Sequence, residues 1–537
     1  MGWNRTYRST GTSAVLVMSA AAALVFGVPA GSSKSTAGPK SGGTLTIAVS
    51  ADIPSLDPLS SPGDGLLGAD RQIGIYSTLL KLDPTGSVVP NLATSMLPSK
   101  DKTIWTMTLR KGLQFTDGTP FNADAVIFNL KRELATPSFA DIGLINQITN
   151  MLPTNSERSI RFFLNAASGS FPLAFTVTPG MIASPTAVAA EGSNYARSPV
   201  GAGPFMLTEW VQNDHMTMVR NPTYWDKPRP YVDSLIFRVI PDGGIRGQSL
   251  LTNAIQVSGT NATVLVTVAA QARQYGLLGV GSTNARPLTI SQALDTASGG
   301  STIISNMSHL PGSNIDFRHA IALAFDESTV SQVMLHGLWT TRATLGCAPF
   351  ATDSPYCIPG GVWPKPNLAE AKSLIQKYLA AGGPQTVTYL ATTSLPIDNA
   401  FVVQTLDSIG LNVNLNAVQG AARSVALTAG NFDIGFLSFT AAGSPYPAVF
   451  NTISSSAQNL PKQQNAALNN ALETARDAFT VQARVAAYQQ ALKIMAQQYM
   501  LTFWLPQAVG WLFPLAVVDP GNQPPGPLLD WAQFSLK

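Results

Sequence analysis

The chain has 537 residues, which is too long for one compact core, so roughly two or three domains are expected. Charged residues make up only 12% and hydrophobic residues 45%, a composition that excludes disorder as the overall state. The formal net charge of +3 leaves no electrostatic footprint of nucleic-acid binding, and we expect no nucleic-acid partner.

Residues 1–30 have the pattern of a secretory signal peptide. Two arginines form a basic start, an apolar segment runs from Ala14 to Phe26, and Val28–Ala30 supplies the small residues of a cleavage site. The apolar segment is shorter than the about 20 residues that span a bilayer, which favours a cleaved leader over an uncleaved membrane anchor. We expect export to the periplasm, cell envelope or extracellular space, with residues 31–42 as a flexible tether.

The segment 105–134 predicts two strands, two tight turns and one amphipathic helix. Alternating apolar residues indicate strands over 105–109 and 113–115, and a glycine turn follows each of them. Asn122 is placed to cap the helix, and Pro137 ends it. The segment is therefore a local α/β unit.

The same periodicity predicts strands and helices along the rest of the chain. The strands are predicted over 44–48, 303–307, 387–390, 411–415 and 432–436, and the helices over 316–326, 367–382, 400–409 and 466–496. The apolar segment 501–511 is expected to return to the domain formed by the first half of the chain. Strands that alternate with helices in both halves indicate an α/β fold.

Four segments resemble a known family. Leu109–Val126, which reads L-R-K-G-L-Q-F-T-D-G-T-P-F-N-A-D-A-V, resembles the signature of the family 5 extracytoplasmic solute-binding proteins, the oligopeptide and dipeptide receptors of ABC importers. Ser198–Phe205 is similar to the family's P-x-G-T-G-P-[FY] loop, Arg220–Trp225 to its R-N-P-x-Y-W segment, and Asp316–Asp326 to its D-x-R-x-A-I-x-x-A-I-D segment. The small residues between the prolines of the loop are expected to permit close backbone approach.

The resemblance implies a two-lobed fold of the periplasmic-binding-protein type II class, with an extra subdomain in the first lobe. We expect the first lobe to comprise residues 43–302 and 503–537, with the inserted subdomain at about 75–190. Residues 303–502 are expected to form the second lobe. Many receptors of this family carry a lipid-modified cysteine directly after the leader; the sequence has none there, so no lipid anchor is expected.

The resemblance also implies a function: delivery of a small polar solute or peptide-like compound to the permease subunits of an ABC transporter, by hinged closure of the lobes around the ligand. The receptor is expected to be a monomer without a cofactor. No G-x-S-x-G or H-E-x-x-H motif is present and the four histidines lie far apart, so neither an enzyme nor a metal site is expected. A secreted two-lobed hydrolase and a binding-only sensor or chaperone remain alternatives.

Position within the family suggests which residues contact the ligand. They follow the first strand, begin the second lobe, and follow a late strand of the second lobe; they are Ser50, Ala51, Asp52, Asn306, Ser438, Phe439, Thr440, Ala441 and Gly443.

The segment 436–450 departs from the family. Peptide receptors of the family have a tryptophan there followed by acidic residues, one of which pairs with the peptide's α-amino group, whereas this segment contains Phe439 and no acidic residue. A buried ammonium without a counter-ion costs several kcal/mol. We therefore expect a neutral or anionic solute and poor binding of free peptides, unless an acid from elsewhere, such as Asp52, replaces the missing one.

Cys347 and Cys357 are the only cysteines and flank a loop that contains proline and aspartate. In an oxidising compartment this arrangement predicts a disulfide, with two reduced structural cysteines as the alternative. A zinc site is not expected, because neither a histidine nor a third cysteine is near.

Overall fold

The computed structural model describes residues 39–59, 66–83, 87–136, 142–279, 299–339, 343–350, 352, 354–418, 420–439, 449–506, 510–521, 523 and 528–537. The predicted leader and most of the predicted tether lie outside these residues. Helices and sheets alternate through both halves of the chain, as predicted. Within the described ranges, no helix combines the length and the apolar character needed to cross a bilayer.

The strands of the described residues are numbered in chain order. They are β1 Thr44–Val49, β2 Leu80–Leu82, β3 Val88–Pro90, β4 Ala93–Pro98, β5 Ile104–Leu109, β6 Ile148–Pro153, β7 Ser159–Leu164, β8 Phe205–Val211, β9 His215–Arg220, β10 Ser234–Val239, β11 Val257–Gly259, β12 Tyr275–Gly279, β13 Gly300–Ser305, β14 Thr386–Thr392, β15 Asn412–Val418, β16 Ile434–Phe439, β17 Leu501–Pro506, β18 Gly510–Pro514, β19 Val518–Asp519 and β20 Ser535–Leu536.

The α-helices are numbered in the same way. They are α1 Leu66–Tyr76, α2 Ala123–Leu134, α3 Ile142–Ile145, α4 Pro185–Glu191, α5 Gly243–Leu251, α6 Ala262–Val268, α7 Ile315–Ala324, α8 Glu327–Leu335, α9 Ala343–Cys347, α10 Leu368–Ala380, α11 Pro396–Ser408, α12 Gly420–Ala429, α13 Asn451–Ile453, α14 Ala466–Asp477 and α15 Val481–Gln497. Short 3₁₀ turns lie at Phe171–Thr176, Thr178–Gly180, Gly192–Ala196, Ala269–Gln274 and Trp531–Gln533.

Two mixed sheets form the framework. The first has the order β12-β18-β11-β1-β10-β9-β8, with β1 parallel to both β10 and β11. The second has the order β15-β14-β16-β13-β17, with β14 parallel to both β15 and β16. The chain passes from the first sheet to the second between β12 and β13, and returns between β17 and β18.

The sheet pairing adjusts the predicted lobe boundaries. The boundary predicted between residues 502 and 503 falls inside β17, whose residues pair with β13 of the second sheet. Only β18 pairs with strands of the first sheet, so the apolar segment 501–511 is divided between the two sheets and the return lies between Pro506 and Gly510. The second sheet likewise begins at Gly300, three residues before the predicted start of the second lobe.

A third, antiparallel sheet has the order β4-β5-β7-β6 and lies within the segment predicted as an insertion. The alternation of β5 is as predicted, because Trp105, Met107 and Leu109 are buried. Asn122 caps α2, and its Oδ1 accepts a hydrogen bond from the backbone N–H of Ala125 at 3.0 Å. The buried face of β5 thus follows from the apolar alternation, and the start of α2 follows from its cap residue.

The second strand predicted in this unit, over 113–115, is wrong. The segment forms only an isolated bridge between Gln114 and Pro120. The backbone N–H of Phe115 donates to the carbonyl of Thr119 at 2.9 Å, so the chain reverses at once and no neighbouring strand extends the ladder.

The inserted layer also contacts the segment 449–497, which belongs to the predicted second lobe. The backbone N–H of Ser170 donates to the carbonyl of Arg476 at 3.0 Å, and Nδ2 of Asn146 donates to the carbonyl of Ser456 at 3.2 Å. The hydrophobic core beneath the third sheet is continuous with residues of α14 and α15. The insertion therefore contacts both predicted lobes.

The predicted disulfide is confirmed. Cys347, at the end of α9, is bonded to Cys357, and their Cα atoms lie 4.8 Å apart. This separation is within the range that a disulfide spans without backbone movement. The alternative of two reduced cysteines does not hold in this structure.

Candidate functional site

The two sheets present the carboxyl ends of their parallel strands to the same region. In the second sheet, Gly300 pairs with Phe439 on one side and with Pro506 on the other, so the end of β16 lies where the chain enters and leaves the sheet. In the first sheet, Trp511 pairs with Gly259, the last residue of β11.

Four peptide steps join Pro506 to Gly510, so these sheet ends lie within about 15 Å of each other. The crevice beyond the carboxyl ends of parallel strands is the usual ligand site of α/β sheets. The candidate site is therefore the cleft between the two sheet ends.

The residues predicted to follow the first strand lie at this cleft, but two of them are engaged within the protein. The carboxylate of Asp52 accepts hydrogen bonds from Nε1 of Trp210 at 3.0 Å and from the backbone N–H of Asn213 at 2.9 Å. Its other oxygen lies 3.4 Å from Nη1 of the buried Arg71. Nη2 of Arg71 also donates to the carbonyl of Ala51 at 2.6 Å. Asp52 therefore anchors this corner of the first sheet, whereas the half-buried Ser50 directly follows β1.

Asn306 lies at the other end of the second sheet. It follows the last residue of β13, and its backbone N–H donates to the carbonyl of Asp433 just before β16 begins. Its side-chain Nδ2 donates to the carbonyls of Gly430 at 2.8 Å and Phe432 at 3.2 Å. The structure does not bring Asn306 together with Phe439, because one full strand length separates them. Its amide instead fastens the turn that leads into β16.

The late second-lobe residues have different environments. Ser438 is exposed, whereas Phe439 is buried and stacks on Phe503 of β17 with ring centroids 6.2 Å apart. Phe439 thus packs across β13 against a residue of the strand on its far side. Thr440, Ala441 and Gly443 lie outside the described residues.

The structure adds a group of residues that the sequence interpretation missed. The loop between β14 and α11 starts level with the end of β16, because Leu390 pairs with Gly435 in parallel register. Where β14 passes into this loop, Oγ1 of Thr392 and Oγ of Ser394 lie 2.8 Å apart. Helix α11 starts at Pro396, four residues before its predicted start, and so places Asp398 in its first turn.

Asp398 is a buried carboxylate near two polar atoms that have no partner. The residue has 8% relative exposure, and within the described residues its carboxylate accepts a hydrogen bond only from its own backbone N–H. Burial raises its pKa to about 7. Neither Oδ1 of Asn399 nor the hydroxyl of Tyr389 has a hydrogen-bond partner within the described residues. The charge of Asp398 contributes, after burial, to raising the pKa of Tyr389.

The order of the strands in the second sheet, which the sequence alone does not give, marks the position of this group. After β14, the chain forms α11 and then β15 on one side of β14, and later β16 on the other side. The sheet therefore has a switch point at β14, and the loops at a switch point line a ligand crevice. The order β15-β14-β16 is such a switch point. Among the described residues, no group of three or more His, Cys, Asp or Glu side chains is arranged to hold a metal ion.

Comparisons with known proteins agree with this geometry. The model of the bacterial extracellular solute-binding proteins, family 5 (middle region), matches residues 87–460. The di/tripeptide-binding protein 2 of Pseudomonas aeruginosa (strain UCBPP-PA14) is 26% identical over 506 residues, which cover 87% of this chain and 89% of that protein.

Two solved structures share the fold. The binding protein AgaA from A. tumefaciens R10, in complex with agropinic acid, has a TM-score of 0.78 at 20% identity and covers 92% of this chain and 99% of its own. The binding protein DppA from Helicobacter pylori, in complex with the peptide STSA, has a TM-score of 0.76 at 21% identity and covers 93% of this chain and 98% of its own.

These neighbours are two-lobed periplasmic binding proteins, which confirms the predicted fold class. The relatives are named as binding proteins, and none of them supports the hydrolase alternative. Because the family model covers residues 87–460 of 537, the chain belongs to family 5 of the bacterial extracellular solute-binding proteins.

Proposed function

We propose that this protein is the extracytoplasmic receptor of an ABC importer and captures one small polar or peptide-like solute in the cleft between its two sheets. One observation supports the proposal above all: the chain crosses between the two sheets twice, from β12 to β13 and from β17 to β18, both times at the sheet ends that face the cleft. Two crossings of the chain beside one cleft form a hinge, and a hinge lets the lobes close around a solute. The permease then distinguishes the closed, loaded receptor from the open one.

The relatives support a peptide-like solute class. One is named for di- and tripeptides, and two solved structures hold agropinic acid and a tetrapeptide. The receptor acts as a monomer and needs no cofactor. Its partners are the solute and the transmembrane subunits of the permease.

The test begins with the native protein and whatever it has bound. Native mass spectrometry identifies the co-purified solute, and mild unfolding followed by refolding removes it. A ligand that binds only the folded state raises stability by RT ln(1 + [L]/Kd), about 2.7 kcal/mol at a hundredfold excess over Kd. We expect the refolded receptor to regain this stability with the unchanged solute. Chemical conversion of the solute during incubation would indicate an enzyme instead.

Uptake separates the receptor from a binding-only sensor or chaperone. Deletion of the gene is expected to abolish uptake of the identified solute at low concentration. Unimpaired uptake in the deletion strain would contradict the transport role while leaving solute binding intact.

A further inference from the structure

The second lobe lacks an acid in the segment where peptide receptors of the family are expected to supply one. No aspartate or glutamate occurs between Phe436 and Phe450. In the first lobe, Asp52 is already engaged by the guanidinium of Arg71 and two N–H donors. An ammonium in the cleft would therefore need a different carboxylate.

Asp398 has the position and the unused bonding capacity for that role. It lies in the first turn of α11, directly after the loop at the carboxyl end of β14, on the cleft side of the second sheet. Phe401, one turn further along the same helix, stacks on Trp504 of the second-lobe core with ring centroids 5.6 Å apart. The helix is therefore anchored by its second turn, while its first turn carries the polar group.

A positive charge near Tyr389 donates a hydrogen bond to the backbone. Arg423 of α12 lies close enough to influence Tyr389, but its Nη2 donates to the carbonyl of Phe436 at 2.7 Å. A carboxylate that is buried without a cationic partner is unfavourable, and a bound cation removes that penalty.

We propose that Asp398 is the specificity-determining residue that pairs with the primary ammonium of a peptide-like solute, and that Asn399 and Tyr389 complete the ammonium site. An ammonium has three N–H donors, and this site offers three oxygen acceptors: the carboxylate of Asp398, Oδ1 of Asn399 and the hydroxyl of Tyr389. This inference rests on the proposed receptor function and names its solute class. It replaces the neutral or anionic solute that the missing acids of segment 436–450 predict.

The experiment compares two forms of one probe on the refolded, ligand-free protein. The probe is a casein peptide digest, used either untreated or after complete N-acetylation, and thermal shift and competition titration measure binding. We expect the untreated digest to stabilise the wild-type protein and the acetylated digest to lose most of this effect. Asp398→Asn keeps the side-chain shape and removes a buried charge, so the variant is expected to fold. It is expected to bind the untreated digest roughly thirtyfold or more weakly.

Two further variants control for nonspecific effects. Asp407→Asn makes the same charge change on the exposed face of the same helix and should bind like the wild type. Tyr389→Phe removes only the hydroxyl and should weaken binding of the untreated digest, but less than Asp398→Asn does.

The possible outcomes separate this inference from the receptor function. Equal binding of the two digests by the wild type, or unchanged binding by Asp398→Asn, would overturn the ammonium site. Binding of neither digest would overturn it as well, and a co-purified solute without an amine would then leave the receptor function standing. A native protein that carries no solute and binds neither digest would contradict both.

Discussion

The carboxylate of Asp70 in α1 accepts a hydrogen bond of 2.9 Å from the indole Nε1 of Trp511 in β18. Its other oxygen accepts a hydrogen bond of the same length from the backbone N–H of Leu529, and the carbonyl of Asp70 accepts one of 2.6 Å from Nε1 of Trp531. The side chain of Asp70 is fully buried. One residue near the start of the chain therefore holds the returning strand and the final segment against the first sheet.

This buried carboxylate predicts a pH dependence of stability. Burial raises the pKa of Asp70 from 3.8 to about 7, although its hydrogen bonds from Leu529 and Trp511 and the charge of Arg71 act in the opposite direction. The folded protein therefore retains a proton that the unfolded chain releases between about pH 4 and pH 7. The stabilisation from this group is complete below about pH 4 and is lost as the pH rises through about 7.

We expect Asp70→Asn to remove that part of the pH dependence. In the wild type, the group lowers the free energy of unfolding by up to about 1.4 kcal/mol per pH unit in this window. Urea denaturation at about pH 4.5, 5.5 and 6.5 measures the slope. The exposed Asp407→Asn should keep the wild-type slope. Parallel pH profiles for Asp70→Asn and the wild type would show that Asp70 does not titrate in this window.

The loop over 198–205 predicts a strict requirement for glycine. The backbone N–H of Gly203 donates to the carbonyl of Ile75 at 2.7 Å, and a Cβ at this position would lie 2.5 Å from the carbonyl carbon of Ile75. Because both partners are backbone, the clash cannot be relieved by rotating a side chain. We expect Gly203→Ala to lower the free energy of unfolding by about 1–3 kcal/mol.

Gly74 provides the matched control, because it directly precedes Ile75 in α1. A Cβ there would meet its nearest atom, Sδ of Met218, at 3.5 Å, an ordinary contact. Gly74→Ala should be neutral or stabilise by up to about 1 kcal/mol, since alanine is the better helix former. Guanidinium denaturation of both variants makes the comparison, and equal stabilities would refute the close-approach explanation.

The disulfide is expected to contribute to stability through the short loop that it closes. In the chain-entropy model, opening the bond between Cys347 and Cys357 should lower the free energy of unfolding by about 3 kcal/mol. Thiol titration of the unfolded, unreduced protein should find no free thiol, and reduction should release both. The double variant Cys347→Ala/Cys357→Ala should show the lower stability with or without reductant. Two free thiols before reduction would contradict the bond.

The sequence interpretation succeeded where the cause of a structure is local. Asn122 caps α2 because its side chain reaches a backbone N–H three residues away. The alternation in β5 shows in advance that Trp105, Met107 and Leu109 are buried. Asn367 starts α10 through the same kind of cap, with its Oδ1 accepting from the backbone N–H of Glu370.

Tertiary structure decided the features that depend on distant partners. The segment 501–511 is uniformly apolar, so its division between two sheets follows from pairing with β13 on one side of the crossing and with β11 and β12 on the other. Nothing in the sequence near Asp52 indicates a partner for its carboxylate, yet the carboxylate accepts a hydrogen bond from Trp210, 158 residues away.

The sequence by itself determined the family, the α/β character, the local caps and turns, and the cysteine pair, because each rests on residue types at short, fixed spacings. Only the tertiary structure decided which acid remains available for a ligand. Asp398 and Asp52 are the same residue type, but one is buried without a cationic partner in the described residues and the other is paired with Arg71. Desolvation and charge pairing depend on what surrounds a group in space, and the chain assembles those surroundings only when its two sheets are in place.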